Sequence, residues 1–122
     1  MPTQSTAPNV KRPLWHQTLA QHPQTRYTTG IRFEWDEQKN QSNLRKHGLS
    51  LADARKVFDA PLLVTLDDRF DYGEERWIAI GRVQSRTVVV VYTEPNEQTI
   101  RIISLRKALS HERTAYEELF GK

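Results

Sequence analysis

The amino-acid sequence predicts an α+β domain in which helices pack on an antiparallel sheet of four to five strands. A segment with the alternation of a strand is followed by two segments with helix-capping residues. Further β-rich segments come next, and their short connections favour antiparallel pairing between neighbours. A last helical segment completes the order β-α-α-β-β-β-β-α, which is typical of α+β folds with two N-terminal helices and one C-terminal helix.

The first predicted strand and the two helices after it lie between residues 31 and 60. The strand shows apolar residues at every second position, namely Ile31, Phe33 and Trp35. A mostly polar helix follows between Asp36, a good N-cap, and Gly48, a good C-terminal stop. We expect Trp35 and Leu44 to anchor this helix. The second helix is predicted from Ser50, whose spacing from an acidic residue resembles a capping box.

Four strands and a final helix are predicted in the second half of the chain. The strands cover residues 62–66, 76–82, 87–93 and 99–107. The run from Val88 to Val91 does not alternate, so we expect a central strand that is covered on both faces. Regular alternation along the last strand predicts that Ser104 and Arg106 share a face with Ile102. The final helix begins near Ser110 and ends at Gly121.

Length and composition indicate one domain and are compatible with a reducing cytosol. The chain has 122 residues, no cysteine and a net charge of +3. No apolar run is long enough to span a membrane, and the first residues lack a signal-peptide core, so we expect a cytoplasmic protein without a membrane partner. Residues 1–30 contain three basic residues and no acidic residue. We interpret them as a flexible extension and residues 31–122 as the domain.

Charge is segregated within the predicted domain. Residues 59–75 contain six acidic residues and one arginine, whereas residues 76–113 contain seven basic and three acidic residues. Such blocks can form faces of opposite sign. A basic face attracts phosphate groups, and an acidic face can bind a basic protein.

The candidate functional residues are cations near strand and helix ends. The histidines lack the spacing of a metal site, and neither a Gly-rich phosphate loop nor a nucleophile elbow is present, so no metal and no cofactor is predicted. Four basic residues surround Ser104 in the sequence, namely Arg101, Arg106, Lys107 and Arg113. Lys46 and His47 end the first helix, and Arg76 begins a strand.

Each candidate also has a structural interpretation. Lys46 and His47 complement the helix dipole. Arg106 and Lys107 can be solvated charges or pair with Glu112, and Arg76 can pair with Glu74 or Glu75. For Glu112 and Tyr116, four residues apart on the last helix, packing and a hydrogen bond to the sheet are the favoured role.

Three blocks of the sequence resemble the BrnT toxins of type II toxin–antitoxin systems, and the similarity runs from about residue 31 to 117. The blocks are WDEQKNQSNLRKHG, ERWIAIGR and RIISLRKALSHERTAY. They contain the family-like residues Trp35, Asp36, Lys39, Asn43, Lys46, His47, Gly48, Arg76, Ile80, Gly81, Ile103, Ser104, Arg106, Ala108, Glu112 and Tyr116. The N-terminal extension departs from the family pattern.

The resemblance implies a RelE/ParE-like fold and a ribonuclease that arrests translation. It also implies a BrnA-like ribbon-helix-helix antitoxin, and operator DNA that is bound only through this antitoxin. Metal-independent cleavage needs cations on the phosphate and groups that transfer protons. The expected catalytic residues are Lys46, His47, Glu75, Arg76 and Arg106. The expected substrate-binding residues are Arg101, Ser104 and Lys107.

A second hypothesis is a non-catalytic module that binds nucleic acid or protein and acts mainly as a co-repressor with its antitoxin. In this interpretation the basic face docks phosphate without cleaving RNA. An assay of RNA cleavage with and without EDTA distinguishes the two hypotheses.

Overall fold

Five strands and three helices make up the part of the chain that the computed structural model describes, residues 30–69 and 71–122. The strands are β1 (Arg32–Trp35), β2 (Leu63–Asp67), β3 (Arg76–Val83), β4 (Arg86–Asn96) and β5 (Thr99–Lys107). The helices are α1 (Glu37–His47), α2 (Ala54–Val57, after a 3-10 turn at Leu51–Asp53) and α3 (Ser110–Phe120). The extension predicted for residues 1–30 lies outside the described residues except for Gly30.

The sheet is mixed, with the strand order β1-β5-β4-β3-β2. The antiparallel pairing predicted for β2 to β5 is confirmed, and β4 is the central strand. The expectation of a purely antiparallel sheet is wrong, because β1 pairs with β5 in parallel. No hairpin joins these two strands, so no tight turn dictates their relative direction. The RelE/ParE-like arrangement stays a prediction.

One side of the sheet, the core face, packs against α2 and the turn before it. The buried residues of the core face come from β3, β4 and β5, namely Trp77, Ala79, Val88, Val90, Tyr92, Ile100, Ile102 and Leu105. Phe58 contacts Phe33 and Tyr92 with ring centroids 5.3 Å and 5.2 Å apart. At Gly81, an added Cβ would lie 2.5 Å from side-chain atoms of Leu62 and Val57. The absence of a side chain at Gly81 therefore lets α2 approach β3 closely.

The polar helix α1 is attached to the sheet by asparagines. Asp36 and Gly48 cap it as predicted. Of the two expected anchors, Trp35 is partly buried against the core, but Leu44 is 39% exposed, so the expectation for Leu44 is wrong. Instead, the buried Asn43 amide donates to the Leu105 carbonyl oxygen at 2.7 Å and accepts from the Leu105 N–H at 3.2 Å. Because β1 pairs only with the first part of β5, Asn43 replaces a strand partner at Leu105.

A β-bulge in β5 determines which residues lie on the other side of the sheet. Tyr92 pairs with Ile102, but the neighbouring Val91 pairs with Ser104, so Ile103 is an additional residue. Leu105 consequently lies in the core with Ile102. The prediction that Ser104 and Arg106 share the face of Ile102 is therefore wrong, because the bulge interrupts the alternation. We call this other side the basic face; it carries Asp67, Arg76, Arg101, Ser104 and Arg106.

Helix α3 packs near the basic face through Tyr116. This side chain is buried, and its hydroxyl group donates a hydrogen bond to the Pro61 carbonyl oxygen at 2.9 Å. The Arg82 guanidinium lies over its ring, 4.9 Å from the centroid. The packing role expected for Tyr116 is confirmed, although its hydrogen bond goes to the segment that precedes β2. In the part of the chain described, no helix has the length and apolar character needed to cross a membrane.

Candidate active site

The end of α1 and the end of β5 border one open pocket of about 440 Å³. Its lining residues are Lys46, His47, Arg106, Lys107 and Leu109. The hydrogen bonds between Asn43 and Leu105 hold the two elements together just before these residues. The structure thus brings together four of the residues expected in the site, two from each of two separate sequence blocks.

Arg106 is bound to Glu112 on α3 by two parallel hydrogen bonds. Its Nη1 and Nη2 atoms donate to Oε1 and Oε2 of the carboxylate, each at 2.8 Å. This pair lowers the pKa of Glu112 and raises the pKa of Arg106, whereas burial and the positive charge of Arg69 act in the opposite direction on Arg106. The ion pair anticipated as the structural role of Arg106 is present. One third of the Arg106 side chain stays exposed beside the pocket.

Glu112 also caps α3. One of its oxygens accepts the Leu109 backbone N–H at 2.8 Å, in addition to the hydrogen bond from Arg106. The same carboxylate therefore fixes the start of the helix and the orientation of the guanidinium. A carboxylate near a helix N-terminus is also favoured by the helix dipole.

Arg76 lies on the basic face but does not line the pocket. The sheet register places Arg106 beside Val89 and Ile80, and Arg76 is four residues from Ile80, about 13 Å along the strand. The Arg76 guanidinium lies over the Tyr72 ring at 4.0 Å. Its Nε atom is buried without a hydrogen bond to a described residue, with Glu74 at 3.6 Å.

The other three expected site residues also lie outside the pocket. Glu75 borders a different pocket with Trp77 and Glu94. Arg101 forms an ion pair with Glu34 of β1, with its Nε atom 2.6 Å from the carboxylate. Ser104 is half-buried on the basic face between Arg101 and Arg106. Its hydroxyl group makes no hydrogen bond within the described part of the chain, so it does not orient a guanidinium there.

The loop after β2 adds a cation that the sequence analysis did not assign. Asp67, expected on an acidic surface, is buried and accepts hydrogen bonds from Arg69 Nε at 2.7 Å and Nη2 at 2.9 Å. The Tyr72 hydroxyl donates to the same carboxylate at 3.1 Å. These contacts, chiefly that with Arg69, lower the pKa of Asp67. The position of Asp67 at a strand end, two residues before an arginine, is the sequence signal that could have indicated this pair.

Side chains that bind metals are not gathered in the region described. Among residues 30–69 and 71–122, no three His, Asp or Glu side chains are placed so that they could hold a metal ion.

Comparison with known proteins identifies the family. Residues 35–112, well over half of the chain, match the family model described as the ribonuclease toxin BrnT of type II toxin–antitoxin systems. A 1.1 Å crystal structure of the Brucella abortus ribonuclease toxin BrnT is similar, with a TM-score of 0.50 and 25% sequence identity. That match covers 66% of this chain and 99% of the Brucella chain. A search of curated proteins finds no significant match. The resemblance noted in the sequence is thus confirmed, and the chain belongs to the BrnT family of ribonuclease toxins of type II toxin–antitoxin systems.

Proposed function

We propose that the protein cleaves RNA without a metal ion at the pocket bordered by Lys46, His47, Arg106 and Lys107, and that this cleavage arrests translation. The main support for the proposal is that these residues line the same open pocket. Cations suit a negatively charged phosphodiester, and an imidazole can accept or donate a proton near neutral pH. Membership of a ribonuclease toxin family supports the same activity.

The chemistry assigns two tasks to the pocket. The ribose 2′-oxygen attacks the adjacent phosphorus, forming a 2′,3′-cyclic phosphate while the bond from phosphorus to the 5′-oxygen breaks. One group accepts the 2′-proton and another protonates the departing 5′-oxygen. We assign the proton transfers to His47 and Lys46, and the stabilisation of the charge that develops on the phosphoryl oxygens to Arg106 and Lys107, because all four line the pocket. Glu75, which borders another pocket, is the weaker candidate for proton transfer.

Incubation of the pure protein with single-stranded RNA, with and without EDTA, tests this proposal. We expect equal cleavage in both conditions and products that end in a 2′,3′-cyclic phosphate. His47→Ala should remove most of the activity, whereas His111→Ala, at an exposed position of α3 outside the pocket lining, should not. Cleavage that EDTA abolishes would contradict the metal-independent mechanism.

The pairing of Arg106 with Glu112 favours the second candidate function, a non-catalytic co-repressor. In this case the Arg106 guanidinium stabilises the fold, since both of its terminal nitrogens already donate to the Glu112 carboxylate. The protein would then bind its partner tightly and leave RNA intact. A partner-binding measurement on the preparation used for the RNA assay separates the two functions.

Type II membership implies a protein antitoxin, and we propose a basic ribbon-helix-helix protein that forms a repressor complex with the toxin in the cytoplasm. The acidic residues after β2 offer a surface for it, although Asp67 is buried and takes no part. Reversing the exposed charges with Asp68→Lys and Asp71→Lys should weaken binding and reduce its salt dependence. Asp59→Lys, also exposed, is the matched control. Unchanged affinity in the first pair would exclude this surface.

A further inference from the structure

The buried carboxylate of Asp67 lies on the basic face, not on an acidic surface. It is the last residue of β2 and pairs with Arg76 on β3. Its side chain is 1% exposed and interacts with both the Arg69 guanidinium and the Tyr72 hydroxyl. A buried carboxylate needs such partners, because an unpaired charge away from water is costly. Asp67 therefore serves as the internal attachment point for the loop after β2.

Arg69 is held firmly although it is accessible. Two of its guanidinium nitrogens donate to Asp67, and yet 61% of its side chain is exposed. An exposed arginine normally loses rotamer freedom when it binds a ligand. Arg69 has already lost much of that freedom, so it can bind an anion with a smaller entropic cost.

Two neighbouring features show where this fixed cation lies. The positive charge of Arg69 acts on Arg106 across the basic face and opposes the effect of Glu112 on its pKa. Tyr72, held by the same Asp67 carboxylate, covers the Arg76 guanidinium. The loop thus holds Arg69 at the end of the basic face where Asp67 pairs with Arg76.

We propose that Arg69 binds a phosphate of the RNA backbone on the basic face, outside the pocket, and that Asp67 is its positioning residue. The inference rests on the proposed function, since the ligand is the RNA whose cleavage is assigned to the pocket. It extends the RNA contact from the ends of α1 and β5 to the loop after β2. A guanidinium fork whose inner edge is bound to a carboxylate still presents N–H groups toward solvent.

The test uses a 2′-O-methyl RNA oligonucleotide, which lacks the 2′-hydroxyl nucleophile and stays intact during binding. Kd is measured at several salt concentrations for the full-length protein and for Arg69→Met. Loss of one phosphate contact should lower the slope of log Kd against log salt by about 0.7, the single-strand value per contact. The matched control is Arg55→Met, which removes an exposed arginine from α2, on the core-face side of the sheet. Its slope should equal that of the wild type.

A second variant keeps the experiment informative if Arg69→Met destabilises the folded protein. Arg69→Met leaves the buried Asp67 carboxylate with fewer partners, so Asp67→Asn/Arg69→Met removes both charges together. We expect the same decrease in slope in the double variant. Asp67→Asn alone keeps the Arg69 charge but removes its fixed orientation, so Kd should rise several-fold while the slope is largely kept. A wild-type slope in both Arg69 variants, or an equal decrease in Arg55→Met, would overturn the inference.

The inference and the proposed function can fail separately. If the wild type cleaves unmodified RNA but the Arg69 variants keep the wild-type slope, the Arg69 contact is wrong and the pocket chemistry stands. If the wild type binds RNA without cleaving it and the slope decreases in the Arg69 variants, the catalytic proposal is wrong and the Arg69 contact stands. A wild-type Kd in Asp67→Asn would remove the positioning role of Asp67 alone.

Discussion

The two faces of the sheet use polar groups in different ways. Next to the core face, at the edge of β5 that β1 leaves unpaired, Asn43 is buried, and its amide satisfies backbone groups of Leu105 and Leu49. On the basic face, Arg69 and Arg106 each bind one carboxylate and remain partly exposed. A polar group whose atoms are all engaged internally stabilises the fold, whereas a fixed cation that still meets solvent is available to a ligand.

The carboxylates of the basic face show the same division. Asp67 and Glu112 are the less exposed partners of their pairs, with side chains 1% and 15% exposed, against 61% for Arg69 and 33% for Arg106. Arg101 and Glu34 differ, because both members of that pair are well exposed. Exposed pairs contribute little to stability and are screened by salt. We therefore expect Arg69 and Arg106 to be better preorganised than Arg101 for binding phosphate.

The largest expected effect is on catalysis and concerns Arg106. Arg106→Lys keeps the charge but loses the planar fork that can hold two oxygens. Removing one donor to a transition state commonly costs about 10²–10³ in rate, or about 2.7–4 kcal/mol. RNA cleavage per folded molecule should fall by this amount, while the melting temperature and antitoxin binding change little. Full specific activity in Arg106→Ala would show that the Arg106–Glu112 pair is purely structural. The cations of the basic face would then not differ in role from the buried Asn43.

The next effect is on stability and concerns Asn43. Asn43→Ala leaves the Leu105 backbone groups without their partner, at a cost of about 1–3 kcal/mol for each buried group. We expect the free energy of unfolding to fall by about 3 kcal/mol in urea titrations. Gln41→Ala, at an exposed position of the same helix, should stay within about 0.5 kcal/mol. Equal effects in the two variants would show that Asn43 does not anchor α1.

A smaller, pH-dependent effect is expected from Glu112. Its folded-state pKa is lowered, chiefly by the hydrogen bonds from Arg106, so the pair stabilises the fold above the ordinary glutamate pKa of 4.5. This contribution, about 1 kcal/mol, is lost as the pH falls through the folded pKa. The difference in unfolding free energy between the wild type and Glu112→Gln should therefore be present at pH 7 and shrink as the pH falls below 4.5. A difference that grows on acidification would contradict this assignment.

The smallest effect is expected from residues 1–30. Both faces of the sheet are formed by residues that follow residue 30. Deletion of residues 1–30 should therefore change the free energy of unfolding by no more than about 0.5 kcal/mol. Thermal unfolding of the truncated and full-length proteins measures the difference. A loss well beyond 1 kcal/mol would show that the segment takes part in the fold and is not the extension that the sequence predicts.

Local signals in the sequence predicted the secondary structure well. Asp36 and Gly48 cap α1, the valine run forms the central strand, and α3 ends before Gly121, because caps and residue periodicity act over a few neighbours. The same signals wrongly predicted that Leu44 anchors α1 and that Ser104 lies on the face of Ile102. Leu44 on a polar helix does not reveal that Asn43, the residue before it, provides the attachment, because the partner of Asn43 lies 62 residues away at Leu105. The bulge in β5 could not be predicted either, because its position depends on the pairing with β4.

The sequence by itself determined the family, the order of the elements and most of the cations of the candidate site. It did so because the motif blocks and the charge segregation are properties of the chain alone. Only the tertiary structure decided that β1 is parallel to β5, that Lys46 and His47 meet Arg106, and that Asp67 is buried. These facts depend on contacts between residues far apart in the chain, whose free energies arise only when the strands and helices have packed.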